Sequence, residues 1–248
     1  MTYCVALKLD EGLVCLSDTR TNAGIDNVSR YKKTFLWEAD DRAVVLMTAG
    51  NLSVTQGVID QLETAIGATG GDGEGDPETV LTVPTLFRLA EIVGQKMHAM
   101  IEQYGPAMEK DGASSGASII VAGQIGAEPQ RCFLVYSAGN FIECEADTPY
   151  YQIGETKYGK PVIERTITHE TPLAEGVRTA LVSMDLTVRS NLSVGLPLDL
   201  TIIEAGSRRV ISRRIDSDDE TYAAISDGWA DALRQALAGL PSVEAWLD

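Results

Sequence analysis

Residues 2–20 read TYCVALKLDEGLVCLSDTR. Two apolar runs, 3–9 and 13–17, flank Asp10-Glu11-Gly12, and this arrangement is typical of two antiparallel strands joined by a tight turn. The predicted hairpin folds Asp18 back beside Thr2. The start of the first strand therefore lies next to the Asp18 carboxylate at the end of the second strand.

Removal of Met1 would make Thr2 the first residue of the chain. A free N-terminal threonine has a hydroxyl that attacks a carbonyl and an α-amine that accepts the proton of that hydroxyl. The pKa of an unperturbed α-amine is about 7.7–8.0, and a cation nearby lowers it. Lys32 and Lys33 follow the hairpin and supply candidates for that cation.

A third apolar run, 43–48, ends at Ala49-Gly50-Asn51, where a helical pattern starts. Glycine at this point lets the backbone approach a bound carbonyl closely. Gly50 is therefore a candidate donor to an oxyanion.

These residues resemble the proteasome β-subunit family of N-terminal-nucleophile hydrolases and, within it, the bacterial ancestral β-subunits. The matching elements are Thr2, the Ser17-Asp18-Thr19-Arg20 stretch, Lys33 and Ala49-Gly50-Asn51, and the order of strands and helices agrees along nearly all 248 residues. The resemblance implies an α+β fold, a four-layer αββα sandwich, as one domain over residues 1–248. It also implies a threonine peptidase or amidohydrolase.

The same resemblance assigns roles to four residues. Thr2 Oγ would attack a peptide carbonyl, and the Thr2 amine would accept the proton and return it later. Lys33 would be protonated and would lower the pKa of that amine, while Asp18 would orient Lys33. The Gly50 N–H would donate to the oxyanion.

Four other positions complete the predicted site. Arg20 would support the hairpin, and Thr48 would make the specificity pocket short and somewhat polar. The match departs from the family where proteasome subunits have a serine and an aspartate that support the amine, because Glu155 and Asn191 would occupy those positions. A carboxylate close to the amine would raise its pKa and oppose Lys33.

The composition excludes some functions. The net charge is −16, from 36 acidic and 20 basic residues, which argues against nucleic-acid binding. No apolar run is long enough to span a membrane, and the N-terminus lacks a secretory pattern, so we expect a cytoplasmic protein. The four cysteines lie in apolar runs without metal-type spacing, and we expect neither a metal nor a cofactor. We interpret them as small core residues.

The rest of the chain alternates between helices and strands. Residues 67–77 read as a mobile acidic loop, and Gly105-Pro106 is interpreted as the end of the second helix. The predicted helices are 51–66, 84–104, about 155–168, 172–189 and 219–237; the predicted strands are 117–122, 131–136, 140–144, 198–204 and 209–215.

The segment from Gly112 to Gly116 matches Gly-x-Ser-x-Gly, the nucleophile elbow of serine hydrolases. That elbow needs a strand before the serine and a helix after it. The order here is the reverse, so we interpret the segment as a loop.

Two function classes stay open. One is a self-assembling threonine hydrolase that acts on a peptide or protein substrate, and the other is a non-catalytic or conditionally active assembly protein that binds peptides or partners. Both imply a homo-oligomer of many copies, either a closed ring or an open helical stack. The substrate, the removal of Met1 and the existence of a regulatory ATPase or a tagging partner are left open.

Overall fold

A computed structural model describes residues 2–22, 28–68 and 78–246. Met1 and most of the predicted acidic loop, residues 69–77, lie outside the described residues. In chain order the strands are β1 (Tyr3–Leu9), β2 (Gly12–Asp18), β3 (Arg20–Asn22), β4 (Val28–Arg30), β5 (Thr34–Ala39), β6 (Arg42–Gly50), β7 (Ala117–Ile125), β8 (Arg131–Val135), β9 (Phe141–Glu143), β10 (Tyr150–Gly154), β11 (Leu198–Glu204) and β12 (Val210–Ile215). The helices are α1 (Leu52–Ala68), α2 (Leu86–Lys110), α3 (Lys160–Thr166), α4 (Leu173–Ser190) and α5 (Glu220–Ala238), followed by a 3-10 turn at Glu244–Trp246.

Two five-stranded antiparallel sheets form the centre of the molecule. The first sheet has the strand order β10-β1-β2-β11-β12, and the second has the order β5-β6-β7-β8-β9. The β1–β2 hairpin has the predicted register, since Cys4 pairs with Ser17 and Leu9 pairs with Gly12. The short β3–β4 pair stands apart from both sheets.

Alternation along the strands produces three apolar layers, because successive side chains point to opposite faces of a sheet. Cys4 and Ala6 of β1 face Val45 and Met47 of β6 in the core between the two sheets, while Val5 and Leu7 face the helices. All four cysteines lie in the core between the sheets and are free and buried, as predicted.

Helices cover both outer faces. Helices α1 and α2 pack on the second sheet, and α3, α4 and α5 pack on the first. This is the four-layer αββα sandwich that the sequence predicts. No helix in the described part of the chain is both long and apolar enough to cross a membrane.

The predicted end of α2 is wrong. The helix continues through Gly105 and Pro106 to Lys110, and Asp111 ends it with its N–H bonded to Ala107 O. A proline inside a helix removes one N–H donor, but the flanking turns keep theirs. The segment from Gly112 to Gly116 is a loop, as predicted.

The segment after residue 150 also differs from the prediction. Residues 150–154 form the edge strand β10, paired with β1, and α3 starts only at Lys160 rather than near residue 155. The sequence analysis also missed β3, β4 and β5. Strand β10 matters most, since it brings Gly154 beside the start of the chain.

Candidate active site

Backbone hydrogen bonds on two sides fix the position of Thr2. Thr2 O accepts from Glu155 N at 2.8 Å, and the next residue, Tyr3, donates its N–H to Asp18 Oδ1 at 3.0 Å. Both contacts follow from the pairing of β1 with β10 and β2. The hairpin therefore brings Asp18 to Thr2 as the sequence predicts.

Asp18 and Lys33 form a buried ion pair. Lys33 Nζ lies 2.7 Å from Asp18 Oδ1, and the two residues are 3% and 0% exposed. Lys33 Nζ also donates to Arg20 O, and Gly195 N donates to Asp18 Oδ2 at 3.4 Å. Burial raises the pKa of Asp18, and the Lys33 ammonium with these N–H donors opposes that rise. The two acceptors, Asp18 Oδ1 and Arg20 O, hold the Lys33 ammonium in one orientation.

Gly50 ends β6 in a backbone conformation that favours glycine. Its φ is +100°, and a Cβ at this position would lie 2.4 Å from Gly116 O. The next residue, Asn51, donates its N–H to Gly116 O and accepts at Oδ1 from Ser53 N in the first turn of α1. Glycine is required here because the strand turns into the helix against the Gly116 backbone.

One cleft contains most of the predicted residues. It has a volume of about 330 Å³ and separates the end of β6 from the start of β1. Five of the eight predicted residues line it, and Asp18 supports it from beneath through Lys33. The lining residues are Thr2, Thr21, Lys33, Thr48, Ala49, Gly50, Leu52, Thr55, Gly154 and Glu155.

Arg20 and Asn191 lie outside this cleft. The Arg20 guanidinium donates to Leu192 O at 3.1 Å and packs against Gly195, which steadies the loop behind Asp18. Asn191 ends α4, and its Oδ1 accepts from Ser193 N at 2.9 Å. Asn191 therefore shapes the turn after α4 rather than lining the cleft beside Thr2.

Glu155 does lie beside Thr2. Its side chain is only 18% exposed, and its carboxylate is 3.7 Å from Lys157 Nζ, on a side chain that is largely in solvent. The cleft thus contains one buried cation, Lys33, and one carboxylate. On a free α-amine at Thr2 these two charges would have opposite effects, since a cation lowers the pKa of an amine and a carboxylate raises it.

The sequence analysis missed Thr21, Thr55 and Gly154. Gly154 has a φ of +85°, and a Cβ on it would lie 1.9 Å from Thr2 O. The available signal was the position of this glycine, directly after the mostly apolar run Tyr150-Tyr151-Gln152-Ile153. A glycine in or at the end of a strand often marks a place where another backbone approaches closely. The two threonines gave no local signal.

A larger cleft, of about 450 Å³, lies elsewhere and includes Arg30, Lys32, Asp199 and Arg214. It contains none of the predicted site residues, so volume alone does not identify the chemistry. Within the described ranges, no cluster of three or more His, Cys, Asp or Glu side chains is arranged to hold a metal ion.

The fold and the cleft together define a class. An αββα sandwich whose first strand presents Thr2 to a cleft lined by Lys33 and Gly50 is the architecture of N-terminal-nucleophile hydrolases of the proteasome β-subunit type.

Comparison with solved structures identifies the family. Anbu, the ancestral β-subunit, from Yersinia bercovieri is 37% identical over 97% of this chain and 98% of its own, with a TM-score of 0.88. Anbu from Hyphomicrobium sp. strain MC1 is 40% identical over 97% and 98%, with a TM-score of 0.85. The chain in the helical assembly of the Anbu complex from Pseudomonas aeruginosa is 39% identical over 97% of this chain and 97% of its own, with a TM-score of 0.88. The chain belongs to the Anbu family. No family model and no curated protein matches it.

Proposed function

We propose that this chain is a threonine peptidase or amidohydrolase that uses the free N-terminal Thr2 after removal of Met1. The observation that carries the proposal is the Asp18–Lys33 pair at 2.7 Å, because it fixes a buried ammonium in the wall of the cleft that Thr2 also lines. A fixed cation stabilises negative charge at the nucleophile without reorganisation during the reaction.

In the proposed reaction, the Thr2 amine takes the proton of the Thr2 hydroxyl as Oγ bonds to the substrate carbonyl carbon. The C–N bond of the substrate then breaks, and the amine returns the proton to the leaving nitrogen. Water hydrolyses the resulting ester and regenerates Thr2. Lys33 keeps the pKa of the amine low, and the Gly50 N–H donates to the oxyanion; loss of one such donor typically reduces the rate about 10²–10³-fold.

The substrate enters as a peptide or protein segment. Thr48 is 5% exposed and lines the cleft, which supports a short and partly polar specificity pocket. Such a pocket favours substrates with short or polar side chains, and we therefore propose a narrow substrate range.

We also propose that the chain assembles with copies of itself into a ring or a helical stack. The Pseudomonas aeruginosa relative has been solved as a helical assembly, which supports this proposal. A contact between different surfaces of two copies closes into a ring only when its rotation divides a full turn. We also propose a cytoplasmic location. The four cysteines are unpaired, which agrees with that compartment because thiols stay reduced there.

A second candidate function is supported by Glu155. A carboxylate that shares the cleft with Thr2 favours the protonated amine, which is unable to accept the hydroxyl proton. An assembly protein that is non-catalytic, or active only when Glu155 is neutralised, would have such a site.

The test is intact mass before and after treatment with a peptide epoxyketone, which reacts with the amine and hydroxyl of an N-terminal threonine. We expect loss of Met1 and one adduct per chain in the wild type, and no adduct in Thr2→Ala. Thr64→Ala is the control, because Thr64 is an exposed threonine of α1 that does not line the cleft, and it should leave the adduct unchanged. Retention of Met1, or a processed chain that forms no adduct, would favour the second candidate.

A further inference from the structure

A second cleft opens at one edge of the space between the two sheets. Its walls come from the edge strands β5 and β12, from β11 and from the segment after β4, and its volume is about 450 Å³. Small-molecule sites in proteins usually measure about 300–1,000 Å³. Among the described residues, none lines both this cleft and the candidate active site, so the two clefts are separate. We call it the edge cleft.

The edge cleft is positively charged in a chain that is strongly negative. Four cationic side chains and one carboxylate, Asp199, line it, whereas the whole chain has a net charge of −16. A local reversal of sign of this kind attracts anions to one place on the surface. The four cations are Arg30, Lys32, Arg213 and Arg214.

Two of these cations have no carboxylate partner. Arg30 and Lys32 are exposed and make no ion pair with any residue that the structure describes. Lys32 Nζ lies 5.0 Å from the centroid of the Phe35 ring. Water solvates exposed cations well, so these two alone would indicate a charged surface rather than a site.

A buried hydroxyl provides the independent sign of a ligand. Thr201 lines the edge cleft and is only 4% exposed, yet its Oγ1 has no hydrogen-bond partner in the described part of the chain. Buried polar groups are nearly always hydrogen-bonded. This oxygen is not sealed in the core, so the cleft is the side from which a partner reaches it.

The β11–β12 pairing places further donors on the same wall. Thr201 pairs with Ser212, whose hydroxyl also lines the cleft. Two residues along the strands, Asp199 pairs with Arg214, and residues two apart on a strand face the same side of the sheet. Arg214 Nη1 donates to Asp199 Oδ1 at 2.9 Å, which fixes the guanidinium and compensates the one carboxylate of the cleft. Two hydroxyls and one fixed guanidinium therefore share a wall.

We propose that the edge cleft binds a small molecule that carries a diphosphate group. A guanidinium pairs bidentately with phosphate, and hydroxyls donate to its remaining oxygens, of which phosphate has more than a carboxylate. Thr201, Ser212 and Arg214 bind one phosphate, while the exposed Arg30 and Lys32 compensate the charge at the mouth. Two linked phosphates carry a negative charge comparable to the excess of three positive charges in the cleft.

The diphosphate has two chemical sources, a nucleotide and free pyrophosphate. Tyr31 lines the mouth of the cleft and is 38% exposed, so its ring is available to pack against the organic part of a nucleotide. The comparison of the two sources is therefore part of the test.

The test is isothermal titration calorimetry of the full-length chain in a phosphate-free buffer. The probes are pyrophosphate, ADP and citrate, which carries its negative charge on carboxylates. We expect pyrophosphate and ADP to bind with one site per chain and citrate to bind about tenfold more weakly or less. Tighter binding of ADP assigns the nucleotide as the source, equal binding assigns free pyrophosphate, and both results support the diphosphate site.

Two variants test the site itself. Arg30→Gln removes a cation without an ion-pair partner, and Thr201→Val replaces the hydroxyl by a methyl group of similar size. Each should weaken pyrophosphate binding about tenfold, the effect of one lost hydrogen bond to a charged group. The matched controls are Arg178→Gln on α4 and Thr221→Val on α5, which make the same chemical changes at exposed positions outside the cleft. Unchanged thermal unfolding without ligand would show that each variant is folded.

Three results would overturn the proposal. The first is the absence of binding by both pyrophosphate and ADP. The second is citrate binding as tight as pyrophosphate binding, which a general basic surface would produce. The third is a loss of affinity in Arg30→Gln without any loss in Thr201→Val, because surface charge would then be sufficient. Thr2→Ala should bind pyrophosphate like the wild type, so the result does not depend on the proposed hydrolysis.

Discussion

Asp18 and Lys33 meet at 2.7 Å with almost no exposure to solvent. Lys33 lines the cleft and Asp18 lies beneath it, and the same Asp18 oxygen also accepts from Tyr3 N. One carboxylate therefore fixes both the backbone that follows Thr2 and the ammonium in the wall of the cleft that Thr2 also lines. Stability and the proposed chemistry depend on the same three groups.

Replacement of Lys33 by methionine should destabilise the fold. The substitution leaves the Asp18 carboxylate buried with only backbone donors, and breaking a buried pair in this way typically costs about 3–5 kcal/mol. Because burial raises the pKa of Asp18, the carboxyl of the variant is neutral at low pH and becomes a buried charge as pH rises. The loss should therefore be larger at pH 7 than at pH 5, as measured by urea denaturation. Lys32→Met changes the exposed neighbouring lysine and should have little effect; equal losses in the two variants would contradict the prediction.

Replacement of Gly50 by alanine should destabilise the chain by more than about 1 kcal/mol, since its φ is positive and a Cβ would collide with Gly116 O. Gly112→Ala is the matched control, because Gly112 also has a positive φ, +77°, but a Cβ there meets nothing within 4 Å. Both substitutions strain the backbone, but only the one at Gly50 adds a collision. The difference between the two losses in the free energy of unfolding therefore measures the cost of the collision. A smaller loss at Gly50 than at Gly112 would show that the turn into α1 adapts.

Substitution of Glu155 by glutamine should lower the pKa of the Thr2 amine. The carboxylate favours the ammonium form, so its removal releases the proton at lower pH and makes the base available there. The measurement is the pH dependence of N-terminal acetylation by acetic anhydride, read from the mass of the N-terminal peptide, which requires no hydrolase activity. Glu164→Gln removes an exposed carboxylate from α3 and should leave the profile unchanged. A profile that does not move in Glu155→Gln would remove the support for the second candidate function.

The Arg131–Glu143 pair between β8 and β9 should make stability depend on pH. Two hydrogen bonds from Arg131, at 2.8 and 2.6 Å, lower the pKa of Glu143 below its ordinary value of 4.5. The stability that the pair adds is present above that value and is lost as pH falls through the lower, folded-state pKa. Glu143→Gln should therefore destabilise at pH 7, by less than about 1 kcal/mol for a partly exposed pair, and much less at pH 3. The exposed Glu38→Gln should show no such dependence in denaturation at the two pH values.

Local sequence was sufficient to predict the hairpin and the meeting of Thr2 with Asp18, because the two strands are joined by a short turn. Lys33 and Gly50, by contrast, were assigned to the site from the family resemblance, and both line the cleft. Strand β10 could not be recognised in the same way. It pairs with β1 from nearly 150 residues away, and no turn signal connects them.

The helix-ending signal at Gly105-Pro106 failed for a different reason. Tertiary packing on the second sheet continues past the proline to Met108, and this packing outweighs the missing hydrogen bond. The sequence predicted α5 as a helix but gave no information on which of its turns are covered. Burial is a property of the folded chain, so the exposure of residues 231–240 became visible only in three dimensions.

The core between the sheets gives this molecule an internal reporter. All four of its thiols lie there, and burial raises the pKa of the Cys15 thiol to about 12, so almost none of it is the reactive thiolate at neutral pH. A thiol reagent such as Ellman's reagent gains access only when the two sheets separate. The rate of colour development therefore measures how often the sandwich opens, without any introduced label.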